Sequence, residues 1–126
     1  MTKTIIQPAD SPTPAGPYSH AVRVGDFLFC SGQIPLDPGS GVIISGGIKA
    51  QTERVLENIR TILESEQLTF THVVKTTVFL TNLAEFNEMN EVYVRYFTAA
   101  PPARSTVEVS GLPRNASVEI EVVAHY

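Results

Sequence analysis

Two hydrophobic rhythms run along the chain. Between residues 48 and 63, Ile48, Thr52, Val55, Leu56, Ile59, Ile62 and Leu63 recur at steps of three and four, with Lys49, Glu53, Glu57 and Arg60 outside the stripe. That spacing predicts an amphipathic helix burying one face. A second helix is predicted after residue 82. Asn82 and Glu85 form an N-x-x-E start signal there, and Phe86, Met89, Tyr93, Tyr96 and Phe97 supply the buried stripe. Elsewhere the period is two. Ser19 to Val24 and Phe27 to Gly32 flank Gly25-Asp26, a connection short enough for a tight hairpin. Val73 to Leu80 is β-branched and unbroken, as expected of a central strand covered on both faces. Arg104 to Val109 and Ser117 to Ala124 flank Ser110-Gly111-Leu112-Pro113-Arg114-Asn115 and are expected to pair as a final hairpin.

The resulting order, β-rich then α, β, α, β, β, predicts an α+β fold in one domain spanning residues 1–126. Right-handed crossovers put both helices on one face of a mixed sheet and leave the other bare. Matching apolar to apolar in the last hairpin sets Thr106 near Glu119 and Arg104 near Glu121. Arg104 and the two carboxylates are therefore expected on the bare face. Further copies of the chain can close such a face, so a symmetric homo-oligomer with clefts between subunits is expected.

Composition narrows the classes. The chain is 43% hydrophobic and 17% charged with no low-complexity run, which favours a folded globule over disorder. A net charge of −4 with scattered Lys and Arg argues against nucleic-acid binding. Cys30 is the one cysteine, so no internal disulfide forms and a reducing compartment fits. The start of the sequence has no signal-like apolar run and no stretch is long enough to span a membrane, so a cytoplasmic location is expected.

Arg104 carries the strongest chemical signal. It follows Pro101-Pro102-Ala103 on a stiff approach and presents a permanent cation in an otherwise strand-like segment. A guanidinium so placed needs an anion, either a ligand carboxylate or phosphate, or an internal partner in Glu119 or Glu121. Cys30-Ser31-Gly32-Gln33-Ile34-Pro35 ends a strand in small residues, so that Gly32 allows a close approach and Ser31 can hydrogen-bond a ligand, or the strand simply passes into a proline turn. Residues 8–18 hold four prolines and form an extended arm delivering Tyr18, suited to a pocket wall or to structural packing. Strand alternation by itself accounts for Glu119 and Glu121. His20, His72 and His125 show no ligand spacing, and no metal site is expected. No nucleophile elbow surrounds any serine, and no phosphate-binding glycine loop or dinucleotide fingerprint is present.

Gly16-Pro17-Tyr18-Ser19, Ser31-Gly32-Gln33-Ile34-Pro35, Val74-Lys75-Thr76-Thr77-Val78-Phe79-Leu80, Pro102-Ala103-Arg104-Ser105 and Val118-Glu119-Ile120-Glu121 lie in the order in which similar blocks occur in a known family. On these five blocks the chain resembles the RidA (YjgF) family of reactive-intermediate deaminases over nearly its whole length. The resemblance implies a chorismate-mutase-like fold and a homotrimer with three intersubunit clefts, closing the bare face. It implies no metal or organic cofactor, and as substrates small 2-imino acids and enamine tautomers released by pyridoxal-phosphate enzymes. It also implies that Arg104 binds the substrate carboxylate and that Glu119 positions the attacking water. Tyr18 and Ser31 then line the pocket, and backbone groups around Gly32 and Thr106 hold the reacting end. Thr106 stands where several members carry cysteine, and His20 where glutamine is usual. A non-catalytic carboxylate-binding trimer that regulates or chaperones partners is the alternative, and ribonuclease activity, attached to some relatives, is a third reading that the acidic charge disfavours.

Overall fold

The structure is a computed structural model describing residues 2–126. Strands β1 (Lys3–Ile6), β2 (Ala21–Val24), β3 (Phe27–Gln33), β4 (Val73–Leu80), β5 (Ala103–Glu108) and β6 (Val118–His125) form one sheet in the order β1-β2-β3-β6-β4-β5. Neighbours are antiparallel except β4 and β5, which run parallel. The β2–β3 hairpin turns at Gly25, whose φ of 58° is open to glycine without strain. Strand β1 has no counterpart among the predicted elements, since four residues of Lys-Thr-Ile-Ile carry too little pattern.

The expected pairing of the last two strands is overturned. β4 lies between β5 and β6, bonded to both. The end of β4 explains the route: the Val109 N–H donates to the Leu80 carbonyl at 2.8 Å and the Thr81 N–H to the Ser117 carbonyl at 3.2 Å, so the connecting segment passes over that end. Crossing through a helix makes β5 parallel to β4, and β6 then returns on β4's other edge.

Helix α1 (Ile48–Ser65) buries Val55, Leu56, Ile59, Ile62 and Leu63 completely, against Leu28 on β3, Val78 and Leu80 on β4 and Val118 and Ile120 on β6. Each such side chain contributes roughly 1.5–3 kcal/mol on leaving water. Helix α2 (Phe86–Tyr93) is shorter than its stripe predicts, and adds Met89, Val92 and Tyr93 to the same cluster. Tyr96 and Phe97 lie beyond its end but still pack inward, Phe97 beside Tyr93 at 4.4 Å between ring centroids and the Tyr96 hydroxyl donating to Glu57 at 2.8 Å. Ahead of α2, the Asn82 side chain accepts from the Ala84 N–H at 3.0 Å and caps a 3-10 turn at Leu83–Glu85. The carboxylate that reaches this turn is Glu108 of β5, accepting from the Leu83 N–H at 2.8 Å.

Both helices cover one face of the sheet, as expected. On the other, Phe27, Phe29 and Val107 are exposed, and Lys75, Thr77, Phe79 and Glu119 half-buried. β4 is therefore covered on one side only in the single chain. Among the described residues no helix is long and apolar enough to cross a membrane.

A candidate active site in two halves

The strand order places Arg104 differently from the sequence expectation. Arg104 pairs with Thr76 on β4, and both side chains point to the helix-covered face. Glu119 pairs with Phe79 and Glu121 with Thr77, on the bare face. Arg104 and the carboxylates thus lie on opposite sides of the sheet. The expected shared face is corrected because it assumed β5 and β6 were neighbours, which set the parity of one against the other. Matching Val107 to Val118 inverted it: Val107 shares its face with Glu119.

On the helix side, the Arg104 Nη1 donates to Asn90 Oδ1 at 2.7 Å. Its guanidinium carbon lies 4.7 Å from the centre of the Tyr93 ring and 5.5 Å from that of Phe86, a stacked cation–π arrangement. The Tyr93 hydroxyl in turn shares a 2.8 Å hydrogen bond with Thr76 Oγ1. Burial raises the Tyr93 phenol, with Thr76 and Arg104 opposing, so the platform stays neutral at ordinary pH. Asn90 supplies no charge. Among the described residues, Arg104 enters no ion pair with Glu119 or Glu121 or any other carboxylate, and its fork retains donors for an anion. Thr106 follows on the same face, its Oγ1 buried without a partner.

On the bare side, the Glu119 carboxylate stands directly over Gly32. A β-carbon at residue 32 would meet Glu119 Oε2 first and lie 2.7 Å from its Cδ. Gly32 therefore admits a side chain of the same subunit, the neighbouring strand's Glu119. Burial raises the Glu119 pKa above the usual carboxylate range, and the negative Glu121 on the same face adds to it. Ser31 holds this end of β3 to the arm: its hydroxyl donates to the Ser19 carbonyl at 2.6 Å and its N–H to the His20 carbonyl at 2.9 Å. Tyr18, one residue before that tie, is 48% exposed, and its hydroxyl accepts from the Ala15 N–H at 3.2 Å. The structure so groups Ser31, Gly32 and Glu119, with Tyr18 next to Ser19, the residue that Ser31 ties, and groups Arg104 with Thr106 apart from them.

Two contributors escaped the sequence reading. Asn90 and Tyr93 hold Arg104, and the usable signal was an asparagine one turn before a tyrosine on a helix that precedes the arginine strand. His20 is buried, hydrogen-bonded through Nε2 to the Pro12 carbonyl, with Nδ1 unpartnered. Burial holds its pKa below the ordinary histidine value. Cys30 is buried and its thiol is pushed up to about 12. Among the described residues no three His, Cys, Asp or Glu side chains converge as a metal-holding group.

Comparison with known proteins sets this geometry among relatives. A family model described as Endoribonuclease L-PSP matches residues 8–126. Protein DfrA of Myxococcus xanthus is 51% identical over 126 residues, covering 98% of this chain and 96% of the relative. The human 2-iminobutanoate/2-iminopropanoate deaminase is 42% identical over 124 residues, covering 98% and 90%. The crystal structure of E. coli TdcF with bound serine superposes with a TM-score of 0.92 at 37% identity, covering 98% of each chain.

Proposed function

The chain belongs to the RidA (YjgF) family, the family described as Endoribonuclease L-PSP, and from that premise we propose that it hydrolyses 2-imino acids and their enamine tautomers to 2-oxo acids and ammonia. The observation that carries the reading is the Arg104 guanidinium, held by Asn90 and Tyr93 with no carboxylate among the described residues of its own subunit paired to it. A substrate carboxylate fits that fork, and charge-assisted pairing of this kind contributes about 1.5–3 kcal/mol.

The chemistry follows from two groups. With the carboxylate on Arg104, a water held by Glu119 adds through oxygen to C2 of the protonated imine. The C=N pair moves to nitrogen and the water proton passes to Glu119. Glu119 then returns that proton to the nitrogen. An oxygen lone pair of the carbinolamine forms the C=O bond as the C–N bond breaks and ammonia leaves, and the remaining hydroxyl proton passes to the freed Glu119 carboxylate and from it to the departing ammonia. A carboxylate whose pKa lies above its usual range is the better base for this transfer. A protonated imine is already electrophilic, so holding the two reactants in line supplies much of the acceleration. Tyr18, Ser31 and the backbone at Gly32 and Thr106 line the reacting end in this reading.

In one chain Arg104 and Glu119 lie on strands two spacings apart, roughly 10 Å, are offset by the three residues that separate their β4 partners Thr76 and Phe79, and face opposite sides of the sheet. The proposed site therefore takes Arg104 from one copy and Glu119 from another. A homotrimer with its sites between subunits meets that need and covers Phe27, Phe29 and Val107. Its substrates in this reading are small molecules, without nucleic acid or membrane, in the cytoplasm, and with no metal or cofactor in the steps.

The test couples a threonine dehydratase to semicarbazide trapping. Added protein is expected to lower semicarbazone and speed 2-oxobutanoate formation, and the Arg104→Ala protein to do neither. Unchanged imine decay in the presence of the folded protein counts against catalysis. A second reading, a carboxylate-binding trimer that regulates partners, is favoured by the serine bound to the related TdcF; calorimetric binding of 2-oxo acids without any effect on imine decay selects it. The scattered basic residues and net charge of −4 weigh against a nuclease.

A further inference from the structure

Residues 8–18 form the arm between β1 and Tyr18, and Pro12 is their one buried residue. Prolines at 8, 12, 14 and 17 leave the arm short of N–H donors. Among the described residues it makes a single hydrogen bond to the rest of the chain, between the Pro12 carbonyl and His20 Nε2. A carbonyl only accepts, so Nε2 carries the ring proton, while Nδ1 is buried without a partner. The bond closes residues 12–20 into a loop with Tyr18 inside it. The Tyr18 hydroxyl accepts from the Ala15 N–H at 3.2 Å, so the phenol is carried by the arm and not by the sheet. The far end of the loop is fixed to β3, where the Ser31 N–H donates to the His20 carbonyl at 2.9 Å and the Ser31 hydroxyl to the Ser19 carbonyl at 2.6 Å.

Resting on the proposed deaminase reading, the geometry points to His20 as a positioning residue: by holding Pro12 it fixes the arm that carries Tyr18, and so sets the pocket wall against which the substrate binds. His20 is 4% exposed and acts through the arm, without a contact of its own to the substrate. Without this donor the Pro12 carbonyl loses its match, and the stretch between Ile6, the last paired residue of β1, and Ser19 swings as one longer loop. A pocket wall touches substrate and transition state alike, so loosening it raises KM and leaves kcat. A side chain that only stabilises the fold does the opposite. Its loss lowers the folded fraction, and kcat with it, at an unchanged KM.

The test compares two variants on the imine that an amino-acid oxidase generates from alanine, with semicarbazide competition as the readout. His20→Leu fills a similar volume but has no donor, and His20→Gln keeps an amide N–H for the Pro12 carbonyl. KM is expected to rise about tenfold in His20→Leu, the factor that matches one buried hydrogen bond, with kcat within about twofold of wild type and both restored in His20→Gln. Arm motion is read independently by Thr13→Trp, at an exposed arm position in a chain without tryptophan. Its fluorescence anisotropy is expected to fall when His20→Leu is added and to recover with His20→Gln. An unchanged KM, a loss confined to kcat, or a His20→Gln protein as weak as His20→Leu overturns the role. A rise in KM without a fall in anisotropy means that His20 meets the ligand directly, and overturns it too. If the wild type turns over no imine, the deaminase reading fails and the anisotropy decides the clasp separately: a fall in His20→Leu that His20→Gln reverses retains it, and equal values in all three overturn it.

Discussion

The carboxylate of Glu119 occupies the space that any side chain at Gly32 needs, with the built β-carbon 2.7 Å from Glu119 Cδ. In Gly32→Ala the flexible end of Glu119 gives way before the strands do, so the fold survives and the carboxylate moves. A displacement near 1 Å costs on the order of a hundredfold in a positioned reaction. Imine turnover by Gly32→Ala is expected to fall by about that factor with an unchanged circular dichroism spectrum.

Glu119 and Glu121 share the bare face, and the second raises the pKa of the first. Removing that charge in Glu121→Gln lowers the Glu119 pKa toward its ordinary value. The acid limb of the kcat/KM profile, where the working carboxylate becomes protonated, is expected to move to lower pH than in the wild type. A limb that stays in place, or moves up, excludes Glu119 as the group titrating there.

Arg104 acts as a fork held in place by its neighbours, so both its shape and its support are testable. Arg104→Lys keeps the charge but loses the planar pair of donors, and a drop of about thirtyfold in kcat/KM corresponds to 2 kcal/mol, the low end for truncating a buried charged contact. Asn90→Ala frees the fork from its 2.7 Å tether. About a tenfold rise in KM, with a parallel loss of 2-oxo acid affinity and little change in kcat, is expected from calorimetry and steady-state rates.

The opposite faces of Arg104 and Glu119 make a prediction about mixtures. Arg104→Ala and Glu119→Ala homo-oligomers are each expected to be inactive. Unfolded together and refolded, they assemble at random, and roughly a quarter of the interfaces combine an intact Arg104 with an intact Glu119 from the neighbouring copy. Recovered activity near that fraction indicates a site built from two copies; none at all means each chain must supply both groups.

His20 sits buried with one nitrogen on the Pro12 carbonyl and the other unpartnered, and its folded pKa is depressed by burial. The unfolded chain therefore takes up a proton first. Stability is fully present above the ordinary histidine pKa of about 6.5 and is lost as pH falls through the lower folded value. Wild-type Tm is expected to drop more between pH 7.5 and 5 than that of His20→Gln, in which nothing titrates at this position.

Legibility in the sequence followed the range of the forces involved. The stripe of α1 and the Gly25 hairpin are local, and both were readable. Val73 to Leu80 was readable as a strand because its β-branched run is, yet its neighbours were not. The pairing of β5 was lost because a glycine- and proline-containing loop looks alike whether it closes a hairpin or passes over an intervening strand. Alternation fixed which residues of β5 travel together, Arg104 with Thr106, but which face they join depends on their β4 partners Thr76 and Val78, far back along the chain. Asn90 was hidden for the same reason, its partner lying on a strand whose orientation the helix pattern does not encode.

The strand that comes last in chain order sits in the middle of the sheet. Among the described residues β6 alone joins the β1-β2-β3 ribbon to the β4-β5 pair, and it carries Val118, Ile120 and Val122 into the core under α1. During synthesis on the ribosome, everything before residue 118 must therefore wait as two unjoined sheet fragments with open edges. Completion has to follow release of residues 118–125 from the exit tunnel, and until then those edges are exposed to strand-on-strand aggregation.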